Sequence, residues 1–123
     1  MATPKVFDLQ EVIWEDMGSG LPRTAIFQGS EHLTIQCFEL PPHSQGAPHS
    51  HEHEQIVYIQ QGKLGFWIDG KTYKAGSGCI VLIPSNCEHY GMNLGSQTAI
   101  TVEIFVPKRA DRQQSKNKDG DGA

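Results

Sequence analysis

The feature that most restricts this chain is a histidine-rich octapeptide that runs straight into an apolar strand. Pro48-His49-Ser50-His51-Glu52-His53-Glu54-Gln55 is followed at once by Ile56-Val57-Tyr58-Ile59, and a turn at Gly62 closes the run. Side chains alternate along a strand, so His49 and His51 point the same way. Imidazoles so placed can share one divalent ion, which takes nitrogen ligands at about 2.0–2.1 Å. Gln55 has the same parity, yet a straight strand at roughly 3.3 Å per residue would set it about 20 Å from His49. A site common to all three requires a bend between His51 and Gln55, and that bend removes parity as a guide to His53 and Glu54. Taken alone, such a peptide is also what an exposed loop looks like.

A second stretch tips the balance. Gly78-Cys79-Ile80-Val81-Leu82-Ile83-Pro84-Ser85-Asn86-Cys87-Glu88-His89-Tyr90-Gly91-Met92-Asn93 sends an apolar strand into a Pro-Ser-Asn turn and delivers one more histidine. Together the two stretches resemble the paired motifs of the cupins. His49-x-His51, three residues, Gln55, six residues and Gly62 follow the first motif; Gly78, Pro84, His89 and Asn93 fall on the second without a gap. The departures are His43 where the first motif begins with Gly, Asn86 where its partner has a turn Gly, and Gln55 in place of the usual Glu. Asn tolerates positive φ better than most residues, so Asn86 is compatible with the turn. The resemblance covers roughly residues 30–107 and implies a single-domain, all-β double-stranded β-helix, a jelly-roll barrel. It implies a metal set of His49, His51, Gln55 and His89.

Length, charge and composition agree with one small domain. At 123 residues the chain fits the usual size of a single domain. A net charge of −4 leaves no basic patch for nucleic acid. Three cysteines do not suggest a disulfide framework. The start, Met1-Ala2-Thr3-Pro4-Lys5, lacks the apolar segment of a signal peptide, and no 18-residue apolar run is present to span a membrane. The expectation is a cytoplasmic protein acting on a small molecule.

Residues 1–30 read as an N-terminal region with short strands around Val6–Leu9 and Arg23–Gln28. In many cupins such a strand pairs across a dimer, so the resemblance implies a homodimer, with Trp14 and Met17 as contact candidates; packing within one subunit is the alternative. Residues 31–107 form the barrel. His32–Leu40 is a strand stopped by Pro41-Pro42, because proline cannot donate to a ladder. Leu64–Ile68 and Thr72–Tyr73 flank Asp69-Gly70, a hairpin signal; Cys79–Ile83 and Thr98–Phe105 are the later strands. From Lys108 to Ala123 no large apolar residue occurs. Such a segment cannot offset its ordering entropy by burial, so its distal half is expected to be a disordered tail.

The chemistry turns on the ligand set. Histidine serves Zn, Mn, Fe, Ni and Cu, so ligand type alone does not name the ion. Glu54 rivals Gln55 as the fourth donor by charge but lies one residue off the spacing. His53 reads as an outer-shell or subunit-contact residue, Cys87 as an inert thiol, and His32 and His43 as surface or structural residues. Three imidazoles and an amide leave the double positive charge uncompensated, which strengthens the ion as a Lewis acid toward a carboxylate or enolate. That favours isomerisation, tautomerisation or elimination over redox cycling. Among cupins the chain is most similar to the small KdgF-like group that opens unsaturated uronic acids, with a late strand ending Asp-x-Phe-x-Pro-x-Arg. Here the corresponding stretch is Glu103-Ile104-Phe105-Val106-Pro107-Lys108-Arg109. The resemblance implies Glu103 as acid/base, Phe105 as a pocket wall and Arg109 as a carboxylate clamp, a task that suits its bidentate fork. Two other classes remain open: an Fe, Ni or Cu dioxygenase of the quercetinase type, and a polyketide-cyclase-like or purely ligand-binding cupin.

Overall fold

A computed structural model describes residues 3–119. Nine strands are present and no helix occurs among these residues: β1 (Glu15–Asp16), β2 (Arg23–Phe27), β3 (Thr34–Leu40), β4 (Glu54–Gln61), β5 (Lys63–Ile68), β6 (Lys71–Gly76), β7 (Ile80–Ile83), β8 (His89–Asn93) and β9 (Ala99–Val106). They form two antiparallel sheets, one of six strands in the order β1-β2-β3-β9-β4-β7 and one of three in the order β6-β5-β8. β8, which carries His89, was not anticipated as a strand.

Turn chemistry follows the sequence closely. Asp69 (φ 45) and Gly70 (φ 88) both take positive φ, as the tight β5–β6 hairpin requires. At Gly62, φ is 112° and a Cβ would lie 2.7 Å from the Ala99 Cβ, so neither the conformation nor the space admits a side chain. His43 (φ 65) and Asn86 (φ 63) stand where the motifs carry Gly, and each takes the left-handed conformation that glycine would have provided. Asn and His are among the residues that enter this region most readily.

β4 and β9 run side by side, with Gln55 opposite Phe105, Val57 opposite Glu103 and Ile59 opposite Thr101. These residues share one sheet face, since cross-strand partners point the same way. Deep on that face Val57 and Ile59 join Leu64, Phe66, Ile83 and Ala99 in the core between the sheets. Toward one end the face turns polar with Gln55 and Glu103. β3 adds Thr34 and Gln36, both buried, opposite Phe105 and Glu103.

The two chain ends differ from the sequence expectation. No strand forms over Val6–Leu9, and Val6 is 93% exposed; Phe7 instead stacks on Phe27 with ring centroids 4.7 Å apart. Of the two contact candidates, Trp14 is used within the chain, its Nε1–H donating to Leu9 O and its ring facing the Arg23 guanidinium, while Met17 is half exposed. The segment 108–119 is not a free tail. Ser115 N–H donates to Ile26 O, and Ile26 N–H donates to Ser115 Oγ at 2.7 Å. Gln28 N–H donates to Gln114 Oε1, Ile13 N–H to Lys116 O, and Lys118 N–H to Glu11 O. The physical reason is that β2 leaves an unpaired edge beyond β1, and backbone groups near a core must find partners. A polar segment can meet that need without burying apolar surface. Residues 120–123 of the expected tail lie outside the described residues.

Candidate metal centre

The chain bends at Glu52–His53, between His51 and the start of β4, as a shared site demands. His49 lies before the bend and is locked to β8: His49 N–H donates to His89 O and His89 N–H to His49 O, at 3.1 and 2.9 Å. This reciprocal pair joins the two histidine-bearing stretches directly. One ligand nitrogen from each of His49, His51 and His89 lies within 4.8 Å of the other two.

The orientation of the rings is fixed from behind. His49 Nδ1 meets Ala47 O at 2.9 Å, His51 Nδ1 meets His53 O at 3.0 Å, and His89 Nδ1 meets Cys87 O at 2.9 Å. A carbonyl oxygen can only accept, so each Nδ1 carries a hydrogen, and in the neutral ring Nε2 then presents its lone pair. Burial lowers the basicity of His51 and His89 against the pull of their backbone hydrogen bonds, and the positive charge of Arg109 adds to the effect, which favours the neutral rings.

Gln55 completes the inner wall. Its Nε2–H donates to Glu103 Oε1 at 2.6 Å, which turns its carbonyl oxygen the other way. That oxygen stands 3.1 Å from His51 Nε2 and 3.1 Å from His89 Nε2. Lone pairs thus face a lone-pair oxygen across a small gap. Such a convergence of acceptors is unfavourable by itself and suits a cation placed among them, so the donor set fits a divalent metal. Glu54, the rival fourth donor, is exposed and points to the opposite face of β4 from the buried Gln55.

Behind Gln55, Glu103 is 9% exposed and uses both carboxyl oxygens: Oε1 accepts from Gln55 and Oε2 accepts from Thr101 Oγ1–H at 2.8 Å. Burial pushes its carboxyl up to about 7, against the pull of the Thr101 and Gln55 hydrogen bonds. Phe105 is buried, with its ring 5.7 Å from the His51 ring, and the Arg109 guanidinium lies 5.0 Å from the Phe105 centroid. Arg109 is pinned at its backbone, N–H to Thr34 Oγ1 at 2.9 Å and carbonyl accepting from Gln28 Nε2–H at 2.6 Å.

All seven residues singled out for metal or chemistry therefore meet in one region. The rest behave otherwise. Cys87 contributes through its carbonyl, with its thiol held protonated by a hydrogen bond to Asp69. The buried Nδ1 of His53 has no hydrogen-bond partner, and its ring stands edge-on to Phe105. Thr101 escaped the sequence reading, although its parity with Glu103 could have flagged it. Gln28, Thr34 and Arg112, which frame Arg109, left no such signal because their contacts cross between distant segments, and the local bonds of Asp111 to Arg109 and Arg112 follow no strand period.

A model of the cupin domain matches residues 36–105, more than half of the chain. The chain belongs to the cupin family. No curated protein matches it. Among solved structures this cupin is similar to KdgF from Halomonas sp., at 26% identity over 89% of this chain and 98% of that one, with a TM-score of 0.81. It is also similar in fold to an RmlC-like cupin from Shewanella frigidimarina (20% identity, 89% and 96% coverage, TM-score 0.79). The cupin domain of Schizosaccharomyces pombe Cnp3 is a more distant match (13% identity, 83% and 73% coverage, TM-score 0.74).

Proposed function

We propose that this cupin is a metal-dependent enzyme that isomerises, tautomerises or eliminates within a small carboxylate-bearing keto, enol or unsaturated sugar acid. The observation that carries the reading is the Gln55 amide, whose carbonyl faces the imidazoles while its NH₂ binds the buried Glu103. One neutral residue links the seat of the ion to a carboxyl that titrates near neutral pH. The likeness to Halomonas KdgF supports the same reading.

His49, His51 and His89 would hold the ion, with the Gln55 carbonyl as a fourth donor. The ion would supply Lewis acidity toward an enolate or carboxylate oxygen, undiminished by any anionic ligand. Glu103 gives and takes the proton: burial keeps the protonated form accessible at neutral pH, and Thr101 and Gln55 steady the ionised form. Phe105 walls the site, and Arg109, beside that ring, receives the substrate carboxylate.

The test is anaerobic turnover of 4,5-unsaturated uronates, followed by loss of conjugated absorbance and by NMR. Glu103→Gln should lose about 10²–10⁴ in kcat while keeping its metal, and Arg109→Ala should chiefly raise KM. Failure to turn over any such acid, joined to substrate-dependent oxygen uptake in air, would replace this reading with a dioxygenase.

A further inference from the structure

Arg109 already holds a carboxylate, and it belongs to the chain itself. Nε donates to Asp111 Oδ1 at 3.2 Å and Nη2 to Oδ2 at 3.0 Å, the two-to-two fork by which a guanidinium grips a carboxylate. Arg112 Nη1 adds a third bond to Oδ2 at 2.8 Å, and its Nε reaches Gln36 Oε1 at 3.3 Å. Two cations thus close on one anion, one aromatic ring away from the histidines.

The two sides of this contact are built differently. The Arg109 side chain is 11% exposed and that of Asp111 is 54% exposed. Arg109 keeps its place without Asp111: Thr34 and Gln28 hold its backbone, Gln28 also binds the Arg112 carbonyl, and the Phe105 ring supports the guanidinium. Asp111 sits inside the turn closed by Arg112 N–H to Arg109 O, so rotation of its side chain alone would release it to water.

We propose that Asp111 is a built-in occupant of the carboxylate seat, displaced when a substrate carboxylate enters. The proposal rests on the role given to Arg109 above and deepens it. A ligand that brings its own carboxylate exchanges like for like at the fork. A neutral ligand of the same shape cannot displace Asp111 and meets a filled seat. Asp111 therefore makes the site selective for acids at the expense of part of their affinity.

The experiment uses Zn²⁺-loaded protein and D-galacturonate, a saturated uronate that the proposed reaction does not consume, with D-galactose as the neutral control. NMR titrations of wild type, Asp111→Ala and the isosteric Asp111→Asn give the dissociation constants, and the ¹³C shift of the Asp111 carboxyl in wild type reports its release. The expected result is an affinity for galacturonate about fivefold higher in both variants, the scale of one exposed ion pair. Arg109→Ala should abolish the gain, and galactose should not move the Asp111 signal. An affinity that is unchanged or lower in both variants, or no binding by any form, overturns the proposal. Because binding is read without turnover, tighter binding beside absent turnover would keep the seat and discard only the reaction.

Discussion

Ser115→Ala should destabilise the fold although it removes no apolar surface from the core. Ser115 is 3% exposed, and its Oγ accepts the Ile26 N–H at 2.7 Å on an edge of β2 that β1 does not reach. Alanine keeps the backbone bond from Ser115 N–H to Ile26 O but removes the acceptor, and Ile26 is only 6% exposed. An orphaned buried donor costs about 1–3 kcal/mol. At about 4 °C per kcal/mol for a domain of this size, Tm should fall by about 4–12 °C. The measurement is thermal and urea unfolding followed by tryptophan fluorescence, with chelator present throughout so that metal binding to the native state does not mask the difference. Removing residues 114–123 should cost more than the point change, because the bonds from Gln28 to Gln114, from Ile13 to Lys116 and from Lys118 to Glu11 go with it. If both variants matched the intact chain within about 0.3 kcal/mol, this segment would be undocked in solution.

Further outcomes test other parts of the molecule. Elemental analysis of protein purified without added metal should give one divalent ion per chain, and His49→Ala with His89→Ala should lose it. Thiol labelling should modify exposed Cys79 first and Cys87 more slowly, and should reach Cys37 only on unfolding, since burial and then the Glu103 charge push the Cys37 thiol up to about 11. The same shift has a sign for stability: the raised folded pKa favours the native state below pH 9, and denaturant titrations should show that contribution lost between about pH 9 and 11. Asp111 runs the other way. Its carboxyl is held down to about 2, chiefly by the Arg109 hydrogen bond, so its small contribution should vanish as pH falls from about 4 to 2, and Asp111→Asn should flatten that part of the profile.

The metal region was readable because its spacing encodes geometry. His49-x-His51 supplies two rings of one parity, and a need for Gln55 in the same site forces the bend that the structure places at Glu52–His53. Glu103 and Phe105 share a face for the same reason of period two. The chain ends were not readable. Val6–Leu9 alternates like a strand but does not join the nearby β2 edge, since β1 takes one part of that edge and residues 114–115 the rest. Residues 108–119 look unfoldable by hydrophobicity, yet they are held by backbone groups, a serine and a glutamine, interactions that leave no periodic trace. Thr34 and Gln36 mislead similarly, as polar residues that face inward because a polar site must be lined.

Each ring of the triad takes its orientation from a carbonyl two residues away in its own segment: Ala47 for His49, His53 for His51, Cys87 for His89. From the barrel walls, Gln55 on β4 faces two of the rings and Phe105 on β9 stands edge-on to that of His51. The barrel also brings the two short peptides together, through the paired backbone bonds of His49 and His89. Ring orientation is thus set in good part within each peptide, by bonds that need no ion. Rings so held would stay aimed with or without an ion among them. The capture of a metal would then be separable from the act of folding.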